Sequence, residues 1–478
     1  MESKAWIRLP FLLGLLLTFS PASADQLQCP NDIDKIPLGW VSAATKGLED
    51  IDHNGNGLPD PPDPNDVCMW IQGGDGFSRM GDGYTIYTFG FSSVPLELPE
   101  TGAQAWGALS ANGPAPSIVL NEGQELYLNL GNTGFHIRPD VADPHTVHWH
   151  GFPEQSAIHD GVPELSPAPR IATIFPYWYQ AVQPGTYFYH CHFEAPEHIE
   201  LGMIGNLYVK PAQNGTDKEY PPGSGRHYTQ FAYNDGDGRS GYDVDAAVQS
   251  IDFDRFFHDQ FRDVQPDPFY NGRSGYPMIN GRGYPDTVVT GPIYTDERTA
   301  TYCVGGVNAG QCCDGDCGGP AVSCGTEGRC PPLSVQTIHA LVEAAQGQKI
   351  LLRLSNVSIV AFHTITVLGI PMRVIGKDAK LLRGPTGLDL SYEANSITYG
   401  GGESYDVLLD TGPDIDKSPC GNFPTLADGD VDVDGDSVLD VVPAGTYFLY
   451  SRNLNDLNNF DEARGGMMTE IRISACQP

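Results

Sequence analysis

The residues best suited to chemistry lie in the stretch TYFYHCHFEAPEHIELGMIG. It places Cys191 between His190 and His192, with His198 seven residues after the cysteine and Met203 five residues later. Imidazole, thiolate and thioether groups are donors that bind transition metals. The stretch therefore predicts a metal site, whose remaining donors must come from elsewhere in the chain.

A second histidine-rich stretch, HTVHWHG, supplies those donors. Side chains two residues apart on a β-strand share a face, and side chains an odd number apart point to opposite faces. His148 and His150 therefore face one side of this strand and His145 the other. The same rule turns Cys191 away from its two flanking histidines. Pairing of the two strands then predicts two separate groups of donors.

The first group combines His145, Cys191, His198 and Met203. Two imidazoles and a thiolate in a trigonal plane, with a weak axial thioether, are the donor set of a blue copper that transfers electrons. Copper binding itself ionises the thiol. We therefore predict a type 1 copper site here, against the alternative that these are packed or surface residues.

The second group has four imidazoles and no thiolate: His148, His150, His190 and His192. Such a set suits further copper ions at which oxygen species bind, and the alternatives are structural histidines or a zinc site. The backbone joins Cys191 directly to two of these histidines. An electron at the first group therefore has a short through-bond route to the second.

The elements that must position these residues are predicted to be strands. Short β-branched and aromatic runs alternate with Gly, Pro, Asn and Asp, and helical periodicity is weak. This pattern predicts an all-β chain of Greek-key sandwiches or barrels.

Five segments are predicted along the chain. They are a signal peptide at 1–24, an N-terminal extension with a calcium-type loop at 25–74, a copper-binding domain at 75–212, a linker and the start of a second domain with a Cys-rich insertion at 213–335, and a second, copper-free domain at 336–478.

The N-terminal stretch and the charge bear on location. MESKAWIRLPFLLGLLLTFSPASADQ has the basic residues, apolar run and small-residue cleavage site of a signal peptide. No later segment approaches the length of a membrane span. We therefore expect an exported protein that is periplasmic, at the cell surface or extracellular. Its net charge of −33 repels nucleic acid and attracts cations.

Eleven cysteines make an odd number for an exported protein. Ten of them could form five disulfides, in a pairing that the sequence leaves open, and Cys191 would be the unpaired one. The ten are Cys29, Cys68, Cys303, Cys312, Cys313, Cys317, Cys324, Cys330, Cys420 and Cys476.

Two acidic loops share one spacing of oxygen donors around a glycine, which is typical of calcium loops, although a solvated acidic turn is the alternative. The donors are Asp50, Asp52, Asn54, Asn56 and Asp60 in the first loop and Asp430, Asp432, Asp434, Asp436 and Asp440 in the second.

The motifs in order resemble those of multicopper oxidases, the laccase-like proteins built of cupredoxin domains. GPAPSIVLNEGQELYLNLGN, HTVHWHG, HDGVPE and GTYFYHCH followed by GMIGNLYV are similar to the copper domains of the family. MINGRGYPDT and the run from HTITVLGIPMRVIGKD to GGGESYDVLLD resemble its copper-free middle domain. The resemblance implies two cupredoxin-like domains, a type 1 copper at the first donor group, trinuclear-cluster ligands at the second, and proton delivery near that cluster by Asp160.

Three features depart from the family pattern. The family cluster uses four His-x-His pairs, and this chain has two. His198 follows Cys191 by seven positions where laccases usually have five, which is closer to copper nitrite reductases. The last strand of the second domain, GTYFLYSRN, and the residues after it contain no histidine. His363 is the best single candidate for a further ligand, although a structural role suits it better.

These features together predict an exported copper oxidoreductase. It would couple one-electron oxidation of a metal ion or a phenol to oxygen reduction at a cluster completed by another copy or by a partner chain. One alternative is a non-enzymatic blue-copper electron-transfer or copper-binding protein. Another is a copper nitrite reductase, with type 2 copper at His150 and His190 and a third ligand, His363, from a neighbouring copy.

Overall fold

The computed structural model describes residues 66–96, 100–153, 156–263, 272–294, 335–412 and 442–475. The predicted signal peptide, both calcium-type loops and the Cys-rich insertion lie outside these residues, as do nine of the ten cysteines expected to form disulfides. No helix in the described part of the chain is long and apolar enough to cross a membrane.

The first half of the described chain forms two four-stranded sheets. Their strands follow in the order β2-β1-β4-β6 and β3-β8-β7-β5. Within them β1 runs parallel to β4, and β3 runs parallel to β8. The strands are β1 Asp66–Arg79, β2 Thr85–Ser93, β3 Ala115–Asn121, β4 Glu125–Asn132, β5 His148–His150, β6 Ile174–Gln180, β7 Gly185–His190 and β8 Ile204–Lys210.

The second half forms two larger sheets. The strands are β9 Val244–Phe253, β10 Tyr276–Ile279, β11 Val342–Ala345, β12 Lys349–Asn356, β13 His363–Val367, β14 Met372–Lys377, β15 Tyr392–Ala394, β16 Ile397–Tyr399, β17 Ser404–Asp410, β18 Gly445–Ser451 and β19 Met468–Ser474. One sheet has the path β10-β9-β12-β17-β14, with β15 also paired to β14, and the other has the order β11-β19-β18-β13-β16.

Helices are few and short: α1 Glu100–Gly107, α2 Ala195–Glu200 and α3 Arg255–Asp263, with 3₁₀ turns at Asp286–Val288 and Leu454–Leu457. The prediction of an all-β fold is therefore confirmed. The two-residue strands are Lys218–Glu219, His227–Tyr228, Gln230–Phe231, Gly241–Tyr242, Ile293–Tyr294, Val335–Gln336, Lys380–Leu381, Asn458–Asn459 and Glu462–Ala463.

Two main hydrophobic cores follow from the alternation of side chains along the strands. The first core contains Leu126, Leu128 and Leu130, which point inward at every second position of β4. The second core contains Ile350, Leu352 and Leu354, which do the same in β12. Each half of the described chain therefore packs around its own centre.

Strand β7 lies where the two halves meet, and all six of its residues are buried. Thr186 donates a hydrogen bond of 2.5 Å to the carboxylate of Asp406, and Ser404 donates one of 2.8 Å to the carbonyl of Thr186. The guanidinium of Arg353 contacts Thr186 at 3.2 Å and Asp245 at 2.7 and 3.0 Å. These bonds fix β7, and thus the histidine at its end, against the second half.

Strands β5 and β7 pair antiparallel, as expected from the sequence. His148 lies opposite His190, Trp149 opposite Tyr189, and His150 opposite Phe188. Trp149 points away from the histidines into the first core. The strand pair therefore presents imidazoles on one face and holds its other face in the protein interior.

Candidate metal centre

Three side chains of the first predicted group converge in the interior. The donor atoms of His145, Cys191 and His198 lie within 4.8 Å of one another, and all three residues are fully buried. Cys191 is a free thiol, and its Sγ lies 3.2 Å from Nδ1 of His198. Both ring nitrogens of His145 lack a hydrogen-bond partner. A buried polar atom without a partner is costly, and a metal ion at this point would satisfy it.

Met203 packs at the same centre. Its backbone N–H donates to the carbonyl of His198 at 2.8 Å, and the N–H of Cys191 donates to the carbonyl of Met203 at 3.0 Å. A side chain on Gly73 would begin 3.1 Å from the Met203 methyl and 2.5 Å from Cδ2 of His145. The thioether end therefore lies beside the His145 ring, and the glycine leaves room for both.

Thr146 supports this centre, although sequence reasoning did not single it out. Its backbone N–H points at Sγ of Cys191, 3.4 Å away. Its hydroxyl accepts from the backbone N–H of His192 at 2.9 Å and of Phe193 at 3.2 Å. Hydrogen bonds of this kind orient metal ligands. Its position between two histidines of HTVHWH was the available signal.

The two imidazoles of the first group have pKa values shifted in opposite directions. Burial, followed by the proximity of His198, lowers the pKa of His145 well below its ordinary value. Burial would also lower the pKa of His198, but the neighbouring Cys191 and Asp143 raise it to about 10. Negative charge on Cys191 and Asp143 therefore favours positive charge at this point, which a bound cation would also supply. Two imidazoles, a thiol and a thioether fit a type 1 copper.

The second predicted group also converges. Donor atoms of His148, His150 and His190 lie within 4.8 Å of one another. The ring of His192 lies 5.0 Å from that of His148 and 5.6 Å from that of His190, measured between centroids. The structure therefore brings all four histidines to one place.

Hydrogen bonds fix the orientation of these rings. Nδ1 of His148 lies 2.7 Å from the backbone carbonyl of Asp160 and 3.2 Å from its carboxylate. Nδ1 of His190 lies 2.9 Å from the carbonyl of Cys191. Because a carbonyl can only accept, each Nδ1 carries the proton, and each Nε2 keeps the lone pair that a metal would bind. Nε2 of His190 lies 3.3 Å from Nδ1 of His150. Asp160 is therefore a positioning residue for His148, and its implied role in proton delivery stays a prediction.

Burial also prepares these rings as neutral donors. It lowers the pKa of His148, that of His150 to about 4, and that of His190 well below its ordinary value. For His150, positive charge on His148 and His192 adds to the effect of burial. Neutral imidazole is the form that binds metals, so this set fits copper near neutral pH.

The four histidines line a cavity of about 450 Å³. Its opposite wall comes from the second half of the chain, from the loop 357–362 and from Gly401 and Gly402. A side chain on Gly402 would begin 3.3 Å from Nε2 of His150. At the cavity mouth Phe362 is 74% exposed and Val360 46%. The site is thus apolar at its mouth and lined by imidazoles inside.

An acidic group surrounds the outer edge of His198. Donor atoms of Asp143, Glu194, Glu197 and His198 lie within 4.8 Å of one another, and Nε2 of the histidine is 3.7 Å from the carboxylate of Asp143. Burial, opposed by His198 and assisted by Glu194, raises the pKa of Glu197 to about 7. Sequence reasoning missed this group, since only the net charge hinted at it.

His363 does not join either group. Its ring is buried, with Nε2 2.9 Å from the hydroxyl of Ser358 and Nδ1 3.0 Å from the carboxylate of Asp456. Both nitrogens are therefore engaged within the second half of the chain. The suggestion that His363 could serve as a copper ligand does not agree with this geometry, which matches the structural alternative.

Buried His, Cys and Met at one centre beside a histidine-lined cavity, in a paired-sheet all-β fold, are the features expected of a copper protein of cupredoxin type. Residues 98–214 match a family model described as Multicopper oxidase. A multicopper oxidase, MCE, from Talaromyces pinophilus is 34% identical over 103 residues, 21% of this chain. The match covers 16% of that relative, so this chain corresponds to less than a fifth of its length.

Two further proteins match a larger share of the chain. A copper-containing nitrite reductase from Neisseria gonorrhoeae is 27% identical over 199 residues, 40% of this chain and 48% of the relative. A blue copper oxidase structure from Nitrosomonas europaea covers 85% of this chain and 86% of its own, with a TM-score of 0.51 and 19% identity, which shows a common fold. Residues 98–214 therefore resemble a multicopper oxidase domain, and the chain shares its fold with a blue copper oxidase.

Proposed function

We propose that this protein is an exported copper oxidoreductase of the multicopper oxidase type, which oxidises a donor at the first group and reduces oxygen in the histidine-lined cavity. The observation that carries this proposal is the direct covalent link between the two groups, since Cys191 lies between His190 and His192. Bound copper would supply one-electron redox chemistry at both groups. In the chain itself, one peptide bond joins Cys191 to His190 and another joins it to His192, so the two donor groups are covalently connected.

The acidic group around His198 supports a metal ion as electron donor. Asp143, Glu194 and Glu197 place three carboxylates at the outer edge of the ring, and carboxylate oxygens suit divalent cations. The charge of −33 favours the approach of cations and disfavours anionic donors. We therefore propose Mn(II) or Fe(II) ahead of phenols as the donor class.

In this proposal another chain supplies the donors that the copper cluster in the cavity still lacks. Two His-x-His pairs are half of the family number, and within the described residues His363 does not face the cavity as a ligand. The exposed apolar side chains of Val360 and Phe362 border the opening. A second copy, or a separate partner chain, would cover this border and bring further donors.

The test is oxygen consumption by the copper-loaded assembly with Mn(II), Fe(II) or a phenol. We expect turnover that is lost in Cys191→Ser and retained in Ser156→Ala, an exposed hydroxyl whose partner is His159. Glu197→Gln and Glu194→Gln should raise KM for the metal ions by roughly tenfold and leave the phenol KM unchanged. Absence of oxygen uptake with all three donors, at full copper loading, would refute the proposed oxidase.

A nitrite reductase is the second candidate, supported by the 199-residue similarity to such an enzyme. His150 and His190 would be its type 2 ligands, and their ring nitrogens lie 3.3 Å apart. The engagement of both nitrogens of His363 argues against its supplying the third ligand. Nitrite turnover with a reduced dye, compared with oxygen turnover, separates the two. About one copper per chain without either turnover would favour an electron-transfer protein.

A further inference from the structure

A hydrogen-bonded chain of three side chains ends at the wall of the histidine-lined cavity. Ser358 forms part of that wall, and its hydroxyl lies 2.9 Å from Nε2 of His363. Nδ1 of the same ring lies 3.0 Å from the carboxylate of Asp456. Ser358 precedes β13 by a few residues and Asp456 follows β18, so the fold brings them together across one sheet.

The hydrogen-bond partners of His363 determine which of its ring nitrogens donates to which group. An ionised carboxylate only accepts hydrogen bonds, so Nδ1 donates to Asp456, which also accepts from Ser451 at 2.7 Å and Asn453 at 2.8 Å. Nε2 is left to exchange a proton with Ser358. A hydroxyl, an imidazole and a carboxylate in this order is the arrangement in which a ring takes and returns a proton while the carboxylate stabilises its cationic form.

A second buried carboxylate also favours positive charge on the His363 ring. Asp252 is fully buried at its side chain, neither of its oxygens has a hydrogen-bond partner, and it lies 3.9 Å from Nε2 of His363. Glu200 is another buried acid that interacts electrostatically with Asp252. Its carboxylate accepts a hydrogen bond from the backbone N–H of Asp254 at 2.6 Å. An uncompensated buried carboxylate is costly, and positive charge on the His363 ring would offset it.

The other polar groups of the cavity wall are already committed. Among the described residues that line it, Ser358 carries the one hydroxyl and no carboxylate is present. The Nδ1 atoms of His148 and His190 are held by carbonyls, and Nε2 of His190 lies 3.3 Å from Nδ1 of His150. Asp160 contacts Nδ1 of His148 and does not line the cavity. Ser358 is therefore the available route for a proton.

We propose that His363 donates protons into the histidine-lined cavity through the hydroxyl of Ser358. Nε2–H passes its proton to Oγ of Ser358, and the hydroxyl proton moves to the oxygen species being reduced. Water in the cavity later reloads the ring by the reverse path, while Asp456 and Asp252 hold the charged form. No electron moves in this step. The inference rests on the proposed function, because reduction of oxygen to water, or of nitrite, consumes protons.

The first test needs no copper and no turnover. Nitrogen-15 NMR of histidine-labelled, copper-free protein measures how fast the ring protons of His363 exchange with solvent. We expect exchange in Ser358→Ala to be at least about tenfold slower than in the wild type, with Ser358→Thr close to the wild type because it keeps the hydroxyl. Equal rates in all three proteins would overturn the proposal, as would ring protons that persist as long as buried backbone amides.

The second test uses the copper-loaded protein and separates its two half-reactions. Ser358→Ala and His363→Gln should slow reoxidation by oxygen on the order of 10- to 100-fold and raise its solvent isotope effect, with reduction by the donor unchanged. Ser358→Thr should restore reoxidation, and Ser451→Ala, which removes another hydroxyl from Asp456, is the matched control. Slow reoxidation with an unaltered isotope effect, or without rescue by threonine, would contradict the relay and indicate a structural role.

The two tests keep the proposals apart. Wild-type protein that fails to reoxidise with oxygen or nitrite but shows Ser358-dependent exchange would refute the proposed function and leave the proton path standing. Normal reoxidation, together with ring-proton exchange that does not depend on Ser358, would support the proposed function and refute the proton path.

Discussion

At the scale of single residues, the two donor groups are held by different means. His145, Cys191 and His198 are fully buried, and the His145 ring lies against Gly73. The cavity histidines are fixed mainly by hydrogen bonds to carbonyls, and those of β5 are only half-buried. The first group therefore depends on packing, and the second on the orientation of its rings.

Gly73→Ala tests the packing of the first group. The new methyl group would begin 2.5 Å from the His145 ring, so the ring or the strand must shift. We expect a loss of about 1 to 3 kcal/mol in the free energy of unfolding and a weakened blue copper absorption. Gly291→Ala, where nothing lies within 4 Å, is the control and should change stability by less than about 0.5 kcal/mol. Equal effects of the two substitutions would contradict the packing described.

The lowered pKa of His150 predicts that the copper-free protein becomes less stable at acidic pH. Its pKa is about 4 in the fold against an ordinary 6.5, so the unfolded chain binds more protons between these values. Stability should therefore fall as the pH falls from 6.5 to 4, and it should be retained above 6.5. His150→Gln should remove about 1 to 2 kcal/mol of that loss, because the ring is partly solvated.

Chemical unfolding at several pH values measures this effect. His227→Gln is the matched control, because that ring is 46% exposed at its side chain and pairs with Asp217 at the surface. A pH dependence of stability that His150→Gln leaves unchanged would contradict the assignment.

At the scale of elements, β7 connects the chemistry to the architecture. The alternation in HTVHWH and HCH was enough to predict the two donor groups, because a period of two decides which face each side chain takes. Alternation says nothing about contacts between distant segments. The pairing of His363 with Asp456, 93 residues apart, and the acidic group around His198 arise from tertiary packing and were not predicted.

Arg353→Met tests how firmly β7 is held. The guanidinium is fully buried between Asp245 and Asp406, and its removal leaves the buried carboxylate of Asp406 without this positive charge beside it. We expect a loss of about 3 kcal/mol in the free energy of unfolding. Arg373→Met breaks an exposed pair with Asp389 in the same sheet and should cost less than about 1 kcal/mol. Similar costs for both would show that β7 does not depend on this contact.

At the scale of the whole molecule, the cavity lies between the two halves, and neither half encloses it alone. All-β architecture was predictable from the short aromatic and β-branched runs. The meeting of the loop 357–362 with the histidines was not, because no local pattern encodes it. That loop leaves Phe362 74% exposed beside the site.

Phe362→Asp tests whether a second copy covers this opening. A charge placed in an apolar contact should shift the protein toward the monomer by roughly tenfold or more in dissociation constant, as measured by sedimentation. Leu388→Asp is the control, since Leu388 is 64% exposed and outside the cavity. Wild-type protein that stays monomeric, or assembly that both variants leave intact, would favour a separate partner chain.

The full burial of the first donor group also bears on how the protein acquires its metal. Cys191 and His198 have no exposed surface, and His198, whose ring contacts the thiol, belongs to the short helix α2. We therefore expect copper ions to reach the thiol when this segment opens, or while the chain is still folding. Maturation of the apoprotein should then be a gated process: at high copper concentration, the rate at which colour develops would level off at the opening rate of α2.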